Sequence, residues 1–281
     1  MRRLLLLLAV LLGALPAAAQ TPPPKRVVTV NLCLDLMALR LAAPGQLVGV
    51  SYLSHDPRLS TLADRARAIA PVRAKVESIL ALEPDLVIMD EASHANIKRL
   101  LREAGVPILE LHWASTLAES ETLIARMAKA LGNEVEGRRL VEKMQADRQV
   151  LAWTQPPVGT AAVLQANRGT NGRGSLMNEL LGLSGFRNLA AELGLPAFGR
   201  MSLETVLAGQ PDLLVLDAET NANPARGTEF VDHHLMKVLE ERAKVAQVPM
   251  KYAVCAGPES VEVLRRLAEA RAAVKPGTAA R

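Results

Sequence analysis

Three of the five histidines, His55, His94 and His112, each follow an apolar run of strand length, and Tyr52 and Trp113 stand near two of them in the sequence. Imidazole nitrogen and phenolate oxygen are ligands for transition metals, and either can take an axial position on haem iron. Brought together by a fold, the three histidines would make a metal-binding cleft; left apart, they are solvated loop residues. The longer His and carboxylate sets of a dedicated metal binder are not visible, so no metal site and no resident cofactor is assigned. Cys33 and Cys255 are the only cysteines. In an oxidising compartment they are either a bridge or two buried thiols, and sequence does not supply the Cα separation of roughly 4.4–6.8 Å that a bridge requires.

Motifs for catalysis are thin. Gly169-Thr170-Asn171-Gly172-Arg173-Gly174-Ser175 lacks the Lys-Ser/Thr ending of a phosphate loop and the G-x-G-x-x-G spacing. Gly182-Leu183-Ser184-Gly185-Phe186 fails the nucleophile elbow, because Phe186 stands where glycine is needed. Asp232-His233-His234 reads as a helix start capped by Asp232. The chain is therefore read as a non-enzyme, with an exported metal-dependent hydrolase as the alternative from another class.

The residues that must position any site are partly duplicated. Glu77-Ser78-Ile79-Leu80-Ala81-Leu82-Glu83-Pro84-Asp85-Leu86-Val87-Ile88-Met89-Asp90 aligns without a gap on Glu204-Thr205-Val206-Leu207-Ala208-Gly209-Gln210-Pro211-Asp212-Leu213-Leu214-Val215-Leu216-Asp217 (204 − 77 = 127), and half the positions are identical. Each copy reads as a short amphipathic helix, a Pro-Asp break and a strand. Two copies are too few for a solenoid and predict two similarly built lobes.

Residues 1–19 have a basic start at Arg2 and Arg3, an apolar core and the small-residue site Ala17-Ala18-Ala19, the pattern of a cleaved signal peptide. No cysteine follows that site, so lipid attachment there is not indicated, and no stretch is long enough for a stable membrane insertion. A formal charge of +4 less these two arginines is +2. With no Lys/Arg stripe interleaved by aromatics, nucleic acid is not a partner. Only seven aromatics occur (two Tyr, two Trp, three Phe), so Ala, Leu and Val must fill the core.

Strands are expected at 26–30, 47–50, 86–89 and 106–110, with helices at 34–41, 78–82 and 96–104 between them. Two consecutive helices follow at 117–131 and 134–153, then strands at 160–164, 213–216 and 251–255 among helices at 175–181, 203–208, 231–246 and 259–272. The fold class is α/β: two Rossmann-like lobes with mostly parallel sheets, linked by one long rigid helix, with a ligand cleft between them. The boundaries read as an N-terminal lobe 25–115, a helical region 116–155, a C-terminal lobe 156–273 and a loose tail 274–281. Ligands of such sheets sit outside the carboxyl ends of the strands. That rule selects Asn31, Leu32, Cys33, Tyr52, His55, His94 and Trp113 in the first lobe, and Arg168, Asn171, Arg173, Phe198, Arg200 and Glu219 in the second.

This order of elements, with Arg26-Val27-Val28-Thr29-Val30-Asn31, Val48-Gly49-Val50-Ser51, both repeat copies, Gly105-Val106-Pro107 and Gly185-Phe186-Arg187-Asn188, resembles the periplasmic binders of ABC importers for ferric siderophores, haem and vitamin B12. The resemblance covers nearly all of residues 25–272. It implies a monomeric periplasmic protein that hands a small metal chelate or corrinoid to an ABC importer permease dimer. It also implies that Glu77 and Glu204 dock onto arginines of the two permease subunits, and that closure on ligand is small. Arg168, Arg173 and Arg200 favour an anionic ferric complex over a corrinoid, which would need more aromatic platforms.

Overall fold

The computed structural model describes residues 22–217 and 233–274. The expected signal segment, Glu219, Asp232 and the tail from residue 275 lie outside the described residues.

The first lobe is a five-stranded parallel sheet of β1 (Val27–Thr29), β2 (Leu47–Ser51), β3 (Ala70–Val72), β4 (Leu86–Asp90) and β5 (Ile108–Leu111), in the order β3-β2-β1-β4-β5. Between them run α1 (Leu32–Leu41), α2 (Ala63–Ala66), α3 (Val76–Leu80) and α4 (Ala95–Glu103). Helices α5 (Leu117–Leu131) and α6 (Glu134–Leu151) then cross to the second lobe. There β6 (Gly159–Leu164), β8 (Phe186–Asn188), β10 (Leu213–Leu216) and β11 (Lys244–Gln247) form a parallel sheet in the order β11-β10-β6-β8. Two-residue strands β7 (Gly169–Thr170) and β9 (Gly199–Arg200) pair antiparallel outside it. The second lobe's helices are α7 (Leu176–Leu183), α8 (Leu189–Glu192), α9 (Leu203–Gly209), α10 (His234–Arg242) and α11 (Ser260–Ala273).

Why the central strands are apolar along their whole length is visible in the packing. Side chains of a strand alternate between faces, and a sheet covered by helices on both sides buries both sets. Ile88 joins the inner core while Val87 and Met89 join the outer one. In the second lobe Leu213 and Val215 face inward, and Leu214 and Leu216 outward. The inner cluster is shared: residues of both sheets, α5, α6 and α11 form one contiguous core. The pair α5/α6 packs closely because Gly137 leaves no Cβ to meet that of Ala128. Gly132 closes α5 with φ 73°, a left-handed conformation that glycine takes without strain.

The structure corrects several expectations. Residues 251–255 form no strand: a 3-10 turn spans Met250–Tyr252, and the last strand is β11. The helix expected over 231–246 stops at Arg242, because Lys244–Gln247 pairs in parallel with β10. The cap of α10 is His233, whose Nδ1 accepts from Leu235 N at 3.2 Å, in place of Asp232. Strands β3, β7, β8 and β9 were not anticipated, and α3 starts two residues before the expected 78.

Candidate functional site

The two carboxyl edges face each other. Cys33, in the first turn after β1, is bonded to Cys255, which follows β11, with Cα atoms 5.3 Å apart. The bridge is formed, so the alternative of two free thiols falls. Lys251 Nζ donates to Pro57 O at 3.2 Å between the same loop systems. Behind them Ser120 Oγ donates to Ala256 O at 2.9 Å, and Leu117 N to Glu179 Oε2 at 2.9 Å. Arg40 Nη2 of α1 lies 2.9 Å from Glu259 Oε2 at the head of α11, an ion pair with the carboxylate buried. Burial pushes the Glu259 carboxyl upward and Arg40 pulls it back. The lobes are thus joined by covalent, ionic and apolar ties beside the cleft.

On the first-lobe wall, Asn31 caps α1: its Oδ1 accepts from Cys33 N at 2.9 Å and Leu34 N at 3.3 Å. Leu32 is buried against Leu36 and Cys255. After β2 a 3-10 turn, Tyr52–His55, carries two candidates outward. The Tyr52 ring is 44% exposed and has Arg73 Cζ 4.3 Å from its centroid, a cation–π contact. His55 is half-buried, and its Nε2 is buried without a partner. His94 is exposed at φ 58°, heading α4, and His112 is exposed with Nδ1 3.3 Å from Glu91 Oε1 and its ring stacked on Trp113 at 5.9 Å. Among the described residues no three His, Cys, Asp or Glu side chains could share a metal ion, so the histidines are not brought to one centre. Lys98 is buried and holds the Glu91 loop, donating to Asp90 O, Glu91 O at 2.7 Å and Glu110 Oε2. The Glu110 carboxyl is held below its usual range by the hydrogen bond from Lys98 and, after a contrary push from desolvation, that from Arg102.

The second-lobe wall is a ribbon. Gly169 pairs with Arg200 and Thr170 with Gly199, and the pairing continues through Gly172 N to Pro196 O at 3.0 Å and Arg173 N to Leu195 O at 2.9 Å. A Cβ on Gly172 would strike the Leu195 carbonyl, so only glycine lets the two strands approach here. The ribbon gathers Arg168, Arg173, Phe198 and Arg200 on one projection, all exposed, Phe198 to 72%. Arg168 and Asn167 are both left-handed, at φ 59° and 56°, which turns the chain into β7. Asn171 is buried and structural: Oδ1 accepts from Gln165 Nε2 at 2.8 Å, and Gln165 Nε2 also lies 3.3 Å from Met250 Sδ. Sequence reasoning missed Arg73, Gln165, Met250 and Lys251; the first follows the unanticipated β3, Lys251 sits where a strand was expected, and Met250 just before it.

Glu77 and Glu204 occupy the second position of α3 and α9, and both are exposed. Two hollows lie elsewhere: one of about 420 Å³ at the amino edge of the second sheet, lined by Arg187, Asp212 and Arg242, and one of about 380 Å³ along α5 and α6. Neither is lined by a cleft-loop candidate. Among the described residues no helix is long and apolar enough to cross a membrane.

Two α/β lobes bridged by helices, with loops of both sheets meeting at a cleft, define a bilobal solute-binding architecture. Residues 27–240 match the periplasmic binding protein family, and the chain belongs to it. An uncharacterised ABC transporter substrate-binding lipoprotein of Bacillus subtilis, YvrC, is 23% identical over 257 residues, covering 88% of this chain and 79% of that one. The periplasmic heme-binding protein RhuT from Roseiflexus sp. RS-1, in apo form, superposes with a TM-score of 0.69 at 24% identity, over 88% of this chain and 99% of that one. The periplasmic vitamin B12 binding protein BtuF of Vibrio cholerae superposes with a TM-score of 0.68 at 20% identity, over 90% and 98%.

Proposed function

We propose that this protein is the periplasmic binding component of an ABC importer, that it captures an anionic ferric chelate of the siderophore class, and that it passes the chelate to a permease. The observation that carries the ligand class is the ribbon: its strands and flanks carry three exposed arginines and an exposed Phe198, a set that suits an anionic complex with an apolar rim. Guanidinium groups bind carboxylate, catecholate or hydroxamate oxygens through paired donors. Haem is the second reading, supported by the exposed Tyr52 at the carboxyl end of β2, since a tyrosine oxygen can ligate haem iron. Corrinoids are disfavoured because the cleft loops offer few aromatic platforms. Glu77 and Glu204 present one carboxylate per lobe and would dock on the two halves of the permease, and residues 1–19 would be removed on export.

The test is a parallel titration of the purified protein with ferric siderophores, hemin and cyanocobalamin. Quenching of Trp113 and Trp153 and the visible spectra of the complexes are followed. Tight binding of an intact ferric siderophore supports the reading; a hemin complex whose Soret band changes in Tyr52→Phe moves the assignment to haem. Hydrolysis of any of the three would restore the enzyme alternative.

A further inference from the structure

Beneath the Tyr52–His55 turn lies a carboxylate with no cation beside it. Asp35, in the first turn of α1, is fully buried. Its Oδ2 accepts from Ser51 N at 3.0 Å and from Ser54 Oγ at 2.6 Å, one at the end of β2 and one within the turn. Its Oδ1 has no donor in hydrogen-bond geometry, and the Thr29 hydroxyl of β1, which acts on it, is equally without a partner. The groups around the carboxylate, Thr29 from β1, Ser51 from β2, Ser54 from the turn and Asn31 from the head of its own helix, are all uncharged. The turn's own titratable side chains are Tyr52 and His55, and Asp56 and Arg58 just beyond it are paired with each other. A helix that needed only packing here would carry an apolar side chain. A buried carboxylate is costly, and its two well-formed bonds go to Ser51 and Ser54, at the entry of the turn and within it.

We propose that Asp35 is a positioning residue, which fastens the turn carrying Tyr52 and His55 through Ser51 and Ser54 and makes the firmness of that turn depend on its own protonation. This rests on the reading of the turn as the first-lobe wall of the cleft. Neutral Asp35 carries no charge into the core, and its Oδ2 keeps both donors. Ionised Asp35 leaves a charge under the turn with no cation beside it, and opening the turn admits water to it. The direction of titration agrees, because burial pushes the carboxyl up from 3.8 to about 6 against the hydrogen bonds that pull it down. A group protonated more readily in the closed form favours that form below its pKa. The advantage is lost as pH rises from 3.8 through 6, by up to roughly a hundredfold in the opening equilibrium.

Amide hydrogen exchange over residues 51–56 of the unliganded protein, corrected for intrinsic rates, decides this without any ligand. From pH 5 to pH 7 the opening constant of the turn should grow about tenfold or more in the native chain. It should not grow in Asp35→Asn, whose amide is uncharged at every pH, and it should still grow in His55→Gln. Ser54→Ala should loosen the turn at both pH values while exchange in β4 and β5 stays unchanged. A flat native profile, a step that survives in Asp35→Asn, or a step lost in His55→Gln would overturn the proposal. Hemin titration of the same variants forms the second arm. If the native protein does not bind hemin, the haem reading of Tyr52 fails while the exchange result still judges Asp35.

Discussion

Superposed by their repeat, the two lobes share a frame and differ in what they build on it. β8-β6-β10-β11 reproduces β2-β1-β4-β5 in order and direction, and among the described residues the edge strand β3 has no counterpart in the second parallel sheet. The duplicated Pro-Asp explains itself in both. Asp85 accepts from Lys25 N at 2.7 Å and Arg26 N at 2.8 Å, just before β1; Asp212 accepts from Thr160 N at 2.8 Å, in β6. Each aspartate thus ties the amino edge of one central strand to the next, following a left-handed residue with φ 45° in both copies, Glu83 and Gln210. At the carboxyl edges the likeness ends. The first lobe enters α1 directly after Asn31, whereas the second inserts β7 between β6 and α7 and pairs it with β9, between α8 and α9, to make the arginine-bearing ribbon. What was kept in duplicate is scaffold, and what diverged is the edge proposed to meet the ligand.

The bridge between the unlike edges should give the largest effect. It closes 222 residues, and replacing Cys33 and Cys255 by serine should cost up to about 5 kcal/mol, read as a lower urea midpoint that reductant reproduces in the native chain. Scattering with and without ligand should show almost no change in radius of gyration while the bridge is intact. A large collapse on ligand would mean that the inter-lobe ties do not restrain the hinge.

The ribbon comes next, because it is the part of the second lobe that the first lacks. Replacing Arg173 or Arg200 by alanine should weaken an anionic ferric chelate by roughly 2–5 kcal/mol where the bound chelate desolvates the contact, measured by calorimetry. Gly172→Ala should weaken binding as well, without touching a charge, because the added Cβ displaces Leu195 and with it the ribbon. Equal affinity in all three variants would take the ligand away from this wall.

How much of this was legible follows the same division. Central strands announce themselves: Leu86 to Met89 and Leu213 to Leu216 are apolar throughout because both faces are covered. Every strand of the two parallel sheets that was missed or misplaced, β3, β8 and β11, lies at an edge, and the missed β7 and β9 pair only with each other. An edge strand is half-solvated and needs no continuous apolar run, so Ala70-Pro71-Val72 and Lys244-Val245-Ala246-Gln247 give no strand signal. The carboxyl-end rule selects loops, but not the role of each of their members. Asn31 is a helix cap, Leu32 and Asn171 are buried, and the histidines stay apart, because local capping and packing decide such roles and leave no mark on residue type. Asp35 escaped notice because an aspartate early in a helix has an ordinary explanation in the helix dipole.

The shared frame can be broken symmetrically. Asp212→Asn should cost about 1–2 kcal/mol of unfolding free energy and Asp85→Asn less, since Asp212 is half-buried against Gly159 while Asp85 is exposed. Neither should change ligand affinity, because both lie at the edge away from the cleft. Matching losses in affinity would show that scaffold and site are coupled after all.

The smallest effect on the isolated protein belongs to the pair that the repeat keeps most faithfully. Glu77 and Glu204 hold the same helical position, yet their surroundings differ. α9 is capped by Ser202, whose hydroxyl also acts, after the backbone N–H of Glu204 itself, to hold the Glu204 carboxyl below its usual range. α3 begins at Lys75 with no side-chain cap. If helix capping were the only reason for these glutamates, reversing the charge should matter more at Glu204, where the carboxylate is engaged, and hardly at Glu77. If docking is the reason, Glu77→Arg and Glu204→Arg should impair uptake to a similar degree and the double variant more, with ligand affinity unchanged. Rim charges of this kind act chiefly on encounter and orientation, so the loss should shrink as salt is raised in reconstituted transport. Full uptake by the double variant through its own permease would leave the two glutamates as helix-end charges and nothing more.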